Sequence, residues 1–73
     1  MEVKKAGAWE ILNYCVCRSD GGMSVAIIAS HGSGFAYTIW PGDGPAMTCA
    51  SPSLLEAMID ADAELAWNGW VLE

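Results

Sequence analysis

Short apolar runs with even spacing fill the first two-thirds of the chain, and helical spacing takes over only in the last third. Residues 9–18 put Trp9, Ile11, Cys15 and Cys17 on one parity and Leu12, Tyr14 and Val16 on the other. Aromatic and β-branched side chains on both parities predict a strand covered on both sides. Asp20-Gly21 then supplies the positive φ of a hairpin turn. A second strand is predicted over residues 23–30, with Met23, Val25, Ile27 and Ala29 on one face and Ser24, Ala26, Ile28 and Ser30 on the other. His31-Gly32-Ser33-Gly34 reads as another tight turn, and residues 35–40 as a third strand. Two prolines and two glycines in residues 41–45 end that strand and predict a protruding loop, after which residues 46–50 add a short fourth strand at an edge.

The helix carries the clearest start and stop. Ser51 could cap with Pro52 at the first helical position. The preferred start is Ser53, with Glu56 completing a Ser-x-x-Glu capping box. The helix then runs to about Trp67, and Asn68-Gly69 provides a left-handed stop before Trp70-Val71-Leu72 returns to pack on the sheet or helix. Leu54, Met58, Ala61 and Leu65 form one stripe, with Leu55, Ile59 and Ala66 beside it, and this wide arc is predicted to face the sheet. The fold class is therefore α+β: a single domain over residues 1–73, with an antiparallel three- to four-stranded β-meander and one C-terminal α-helix packed on one face.

Charge changes the picture of the surface. The chain has 73 residues with a formal charge of -6, and its Lys and Arg residues, Lys4, Lys5 and Arg18, all precede residue 19. Such a surface repels nucleic acid and anionic membranes and attracts basic partners. Glu56, Asp60 and Glu64 recur at i, i+4, i+8 on the helix face opposite the apolar stripe, with no cation on that helix to relieve them. Asp62 falls instead at the edge of the apolar arc, where it needs a partner such as His31, Arg18 or a strand backbone donor. Four tryptophans in so short a chain exceed what a small core covers easily, so Trp40 or Trp67 is expected to be partly exposed and to anchor an interface.

Candidate chemistry is sparse. Cys15, Cys17, His31 and Cys49 have the composition of a Cys₃His zinc site, but only Cys-x-Cys occurs instead of the usual Cys-x₂₋₄-Cys, so free thiols and no cofactor are expected. One histidine, no nucleophile elbow and no phosphate-loop lysine argue against an enzyme. The odd cysteine count and the lack of a signal-peptide or membrane-spanning run predict a cytoplasmic location.

The stretch from Thr48 to Trp70, with its Ser-Leu-x-Glu-Ala helix start at Ser53-Leu54-Leu55-Glu56-Ala57, resembles HicB-type antitoxins. That resemblance covers about the last third of the chain and implies a partial double-stranded-RNA-binding fold that neutralises a small toxin by direct contact. In size, sign of charge and α+β plan the whole chain is similar to small acidic proteins of phages and mobile elements, anti-CRISPR proteins among them. This second resemblance implies a stoichiometric inhibitor acting in the host cytosol on a basic nucleic-acid-binding surface. The expectation is a non-enzymatic protein-binding module that contacts its partner through Glu56, Asp60, Glu64, Trp67 and Trp40. A HicB-like antitoxin and a structural homodimer paired through open sheet edges are the alternatives.

Overall fold

The structure, a computed structural model, describes residues 3–42 and 44–73. Met1, Glu2 and Asp43 lie outside the described residues, and with Asp43 the centre of the proposed protruding loop. The elements in chain order are β1 (Lys5–Ala6), β2 (Glu10–Ile11), β3 (Cys15–Asp20), β4 (Met23–His31), β5 (Gly34–Ile39), β6 (Met47–Ser51), α1 (Leu54–Trp67) and β7 (Val71–Leu72). Strands β2 to β6 form a five-stranded antiparallel meander in sequence order, and α1 packs on one face of it. This is the α+β architecture expected, with one strand added to the meander and a parallel β1–β7 pair beside it. The apolar run over residues 9–18 breaks at Leu12 to Tyr14, and Leu12 N–H donates to Cys15 C=O at 2.8 Å, so the run makes two strands rather than one.

A bulge resets the faces of β4. Arg18 pairs with Ala26 and Ser19 with Ser24, which leaves Val25 as an extra residue in the ladder. Strict alternation would separate Val25 from Ala26 and Ile28, yet all three are buried in one core cluster. Ile27 is left half-buried beside Cys17 and Thr38 on the face away from the helix. One cross-strand row, Ile11–Val16–Ile28–Tyr37–Cys49, runs across the helix-side face. The row Glu10–Cys17–Ile27–Thr38–Thr48 runs across the other, where the hydroxyls of Thr38 and Thr48 lie 3.0 Å apart.

The helix begins where Ser53 Oγ accepts from the Glu56 N–H at 3.1 Å. It ends in a Schellman motif: Gly69, at φ +90°, donates to Ala66 C=O, and Trp70 N–H donates to Leu65 C=O, both at 3.0 Å. These bonds turn the chain back so that β7 pairs in parallel with β1, with Lys5 opposite Val71 and Ala6 opposite Leu72. Ala57, Ala61 and Leu65 are buried against the sheet, with Leu54 and Met58 half-buried beside them. Ile28, Ile39 and Leu65 are the largest fully buried side chains, as befits a domain whose surface is large for its volume.

Candidate functional site

Helix α1 lies chiefly over β5 and also meets β4, β6 and β7. One 14-residue helix cannot cover five strands, so its two flanks face different surroundings. The flank toward β6 carries the carboxylates. Glu56 and Asp60 are exposed and Glu64 is half-buried. At about 100° per residue, the eleven steps from Glu56 bring Trp67 back to within about 20° of it, so the indole rises from the same stripe. Trp67 is 87% exposed. The ion pairs among the described residues are Lys5–Glu73 at 3.5 Å and Arg18–Asp62 at 2.9 Å, so no cation partners the stripe. Its field reaches inward: Tyr37, buried beneath the helix, has its phenol pushed up to about 12, first by burial, then by Cys49, and last by the charges of Asp60 and Glu64.

The other flank departs from the expected apolar arc. Leu55, Ile59 and Ala66 do not reach the sheet; they are exposed, with Ile59 at 57%. The physical reason is rotational. Packing is centred on the small residues Ala57 and Ala61, which let the helix approach closely, and this turns the Leu55–Ile59 edge outward on the side of exposed β2. Ile11, Leu12 and Tyr14 are also exposed there, and a groove of about 300 Å³ runs between them and Leu54. Sequence reading misses this surface because each residue belongs to an ordinary amphipathic pattern. The available signal is the mismatch between the number of strands and the single helix.

Arg18, from β3, is buried between the helix and the segment after β1. It is 5% exposed, and its guanidinium donates to both Asp62 carboxylate oxygens, to Gly7 C=O at 2.8 Å and to Glu73 C=O at 2.7 Å. The Trp9 ring stacks 5.0 Å from the guanidinium carbon, and Trp9 Nε1 donates to Asp62 at 3.3 Å. Asp62 thus finds its partner in Arg18 rather than in His31. Trp40 is 39% exposed but stands at the end of β5, next to Trp70 and away from the stripe, so the five residues proposed as one contact set occupy two places.

The alternative zinc set is not assembled. Cys15 and Cys17 belong to the sheet face away from the helix, whereas Cys49 pairs with Tyr37 on the helix side. Among the described residues no group of three or more His, Cys, Asp or Glu is placed to hold a metal, and all three cysteines are free thiols. His31, Ser33 and Ser51 line a cavity of about 290 Å³, and Ser51 Oγ is buried there without a hydrogen-bond partner among the described residues. No hydrogen bond among the described residues links it to His31. No helix among the described residues is long and apolar enough to cross a membrane. No protein-family model matches the chain, and no curated protein or solved structure is significantly similar to it. The fold and surface define a small α+β domain with one acidic flank and one apolar flank on a single helix.

Proposed function

We propose that the chain is a non-enzymatic protein-binding module whose acidic helix flank docks on a basic protein surface, with Trp67 as its anchor. The observation that carries this reading is the exposed indole of Trp67 rising within a stripe of carboxylates that no cation relieves. The stripe also works against its own helix. Like charges at i, i+4 cost a few tenths of a kcal/mol per pair. Glu64 stands toward the negative end of the helix dipole, and the last turn holds no basic residue. Departures from local stability rules concentrate where function requires them. In concrete form the protein is a phage-type inhibitor that occupies a nucleic-acid-binding surface of a host protein in the cytosol, mimicking the charge of the nucleic acid.

The test is affinity capture from the source cell with the unsubstituted chain and with a Glu56→Lys/Asp60→Lys/Glu64→Lys variant. Because these side chains are outside the core, the variant is expected to keep its circular dichroism spectrum while losing the partner, and Trp67→Ala is expected to weaken capture at least tenfold. Retained capture by the folded triple variant rejects the reading. The exposed Leu55–Ile59 edge and the exposed Ile11, Leu12 and Tyr14 favour a second reading, in which two copies pair through this apolar face.

A further inference from the structure

We propose that the cleft between Trp40 and Trp70 receives an arginine side chain of a protein partner, held by the indole rings and by the Asp20 carboxylate. The inference rests on the reading of a basic partner and gives that partner a specific point of attachment, separate from the acidic flank.

The cleft forms where the β3–β4 turn, the end of β5 and the segment after the helix converge. Its volume is about 540 Å³, and Asp20, Met23, Val25, Trp40 and Trp70 supply its walls. Cavities that bind ligands commonly measure about 300–1,000 Å³ and combine apolar walls with a few polar groups. The walls are held in place before any ligand arrives. Trp70 Nε1 donates to Pro41 C=O at 2.9 Å, and the Trp40 N–H donates to Val25 C=O at 2.9 Å. A wall already ordered loses little entropy on binding.

Two features give the cleft a sign. Asp20 is the one charged side chain lining it among the described residues, and of the chain's own cations only Lys4 comes near, at the rim beside Gly42 and Trp70. Arg18 is held on Asp62 and Lys5 on Glu73, and Lys4 is tied to Pro41 C=O at the rim without pairing with Asp20. Covering this carboxylate with an apolar group would strip its water without compensation, whereas a cation replaces that water with an ion pair. The indole of Trp70 also attracts positive charge: Lys4 Nζ lies 5.5 Å from its ring centroid, much as Arg18 lies over Trp9. Arginine suits the cleft better than lysine. Its planar guanidinium stacks on an aromatic face while its donor fork still meets a carboxylate, and an ammonium does not offer both geometries at once.

The experiment follows the indole N–H resonances of the ¹⁵N-labelled full chain during titration with acetyl-Gly-Arg-Gly-amide. The expected result is a shift of the Trp40 and Trp70 signals with a low-millimolar dissociation constant, on the order of 1–5 mM. A matching peptide with neutral citrulline in place of arginine is expected to bind at least fivefold more weakly. Asp20→Asn is expected to weaken arginine binding by a similar factor, and since Gly21 and Gly22 make the turn itself, the hairpin is retained. No movement of either signal by roughly 20 mM, equal binding of citrulline, or an undiminished Asp20→Asn response overturns the proposal. The Glu56→Lys/Asp60→Lys/Glu64→Lys variant separates it from the reading above. Cleft binding persists in that variant; a response confined to Trp67 and lost in it rejects the cleft and leaves the acidic flank standing.

Discussion

Tyr37 shows at the scale of one residue how the surface charge reaches the core. The phenol is 6% exposed, and burial together with Cys49, Asp60 and Glu64 disfavours its ionised form. The unfolded chain ionises tyrosine near pH 10, whereas the folded chain holds the proton to about 12. Between these values the folded state binds more protons than the unfolded state, so stability falls as pH rises. The contribution is intact below pH 10 and is lost by about pH 12, an effect of roughly 2–3 kcal/mol. Urea unfolding at pH 9 to 12 checks this: Tyr37→Phe is expected to flatten the decline, and an unchanged slope would place its origin elsewhere. Nothing in the local sequence marks this tyrosine out from Tyr14, which is exposed. Register places Tyr37 beneath the helix and beside Cys49.

Between elements, Arg18 joins parts of the chain that are distant in sequence. From β3 its guanidinium holds the helix through Asp62, the segment after β1 through Gly7 C=O, and the C-terminal residue through Glu73 C=O. Removing one member of a buried pair strands the other, at a cost on the order of 3 kcal/mol. Arg18→Met is therefore expected to lower the urea midpoint sharply, and Arg18→Met/Asp62→Leu to recover much of the loss. If the double variant is no more stable than the single one, the bonds to Gly7 and Glu73 carry the effect instead. The sequence shows that Asp62 needs a partner because it falls at the edge of an apolar arc. Choosing Arg18 over His31 depends on a contact spanning 44 positions.

For the whole molecule, the deciding feature is that the sheet is wider than its cover. The helix spans the β4–β6 side and leaves β2 and residues 12–14 uncovered, so apolar side chains face outward on one flank and carboxylates on the other. An acidic surface that repels its own copies would pair with itself only through the apolar flank. If two copies pair there, sedimentation at roughly 100 µM gives a dimer that Ile59→Lys splits; a monomer from the unsubstituted chain removes that reading. Binding through the acidic flank is expected to weaken as salt is raised, whereas pairing through the apolar flank is not.

What could be read along the chain is what neighbouring residues settle among themselves. Ser53 meets its own third neighbour, Asn68-Gly69 ends the helix with bonds only a few positions long, and Gly21-Gly22, next to Asp20, turn the hairpin. The sign and placement of charge are likewise linear properties. The tertiary structure settled everything that depends on how much space one element leaves another. A single bulge at Val25 reassigned the faces of β4, because an inserted residue shifts the period of two from that point on. Close approach at Ala57 and Ala61 rotated the helix and exposed Leu55 and Ile59. The aromatic cleft exists because the helix stop carries Trp70 back to the end of β5, a meeting of segments that no local pattern encodes.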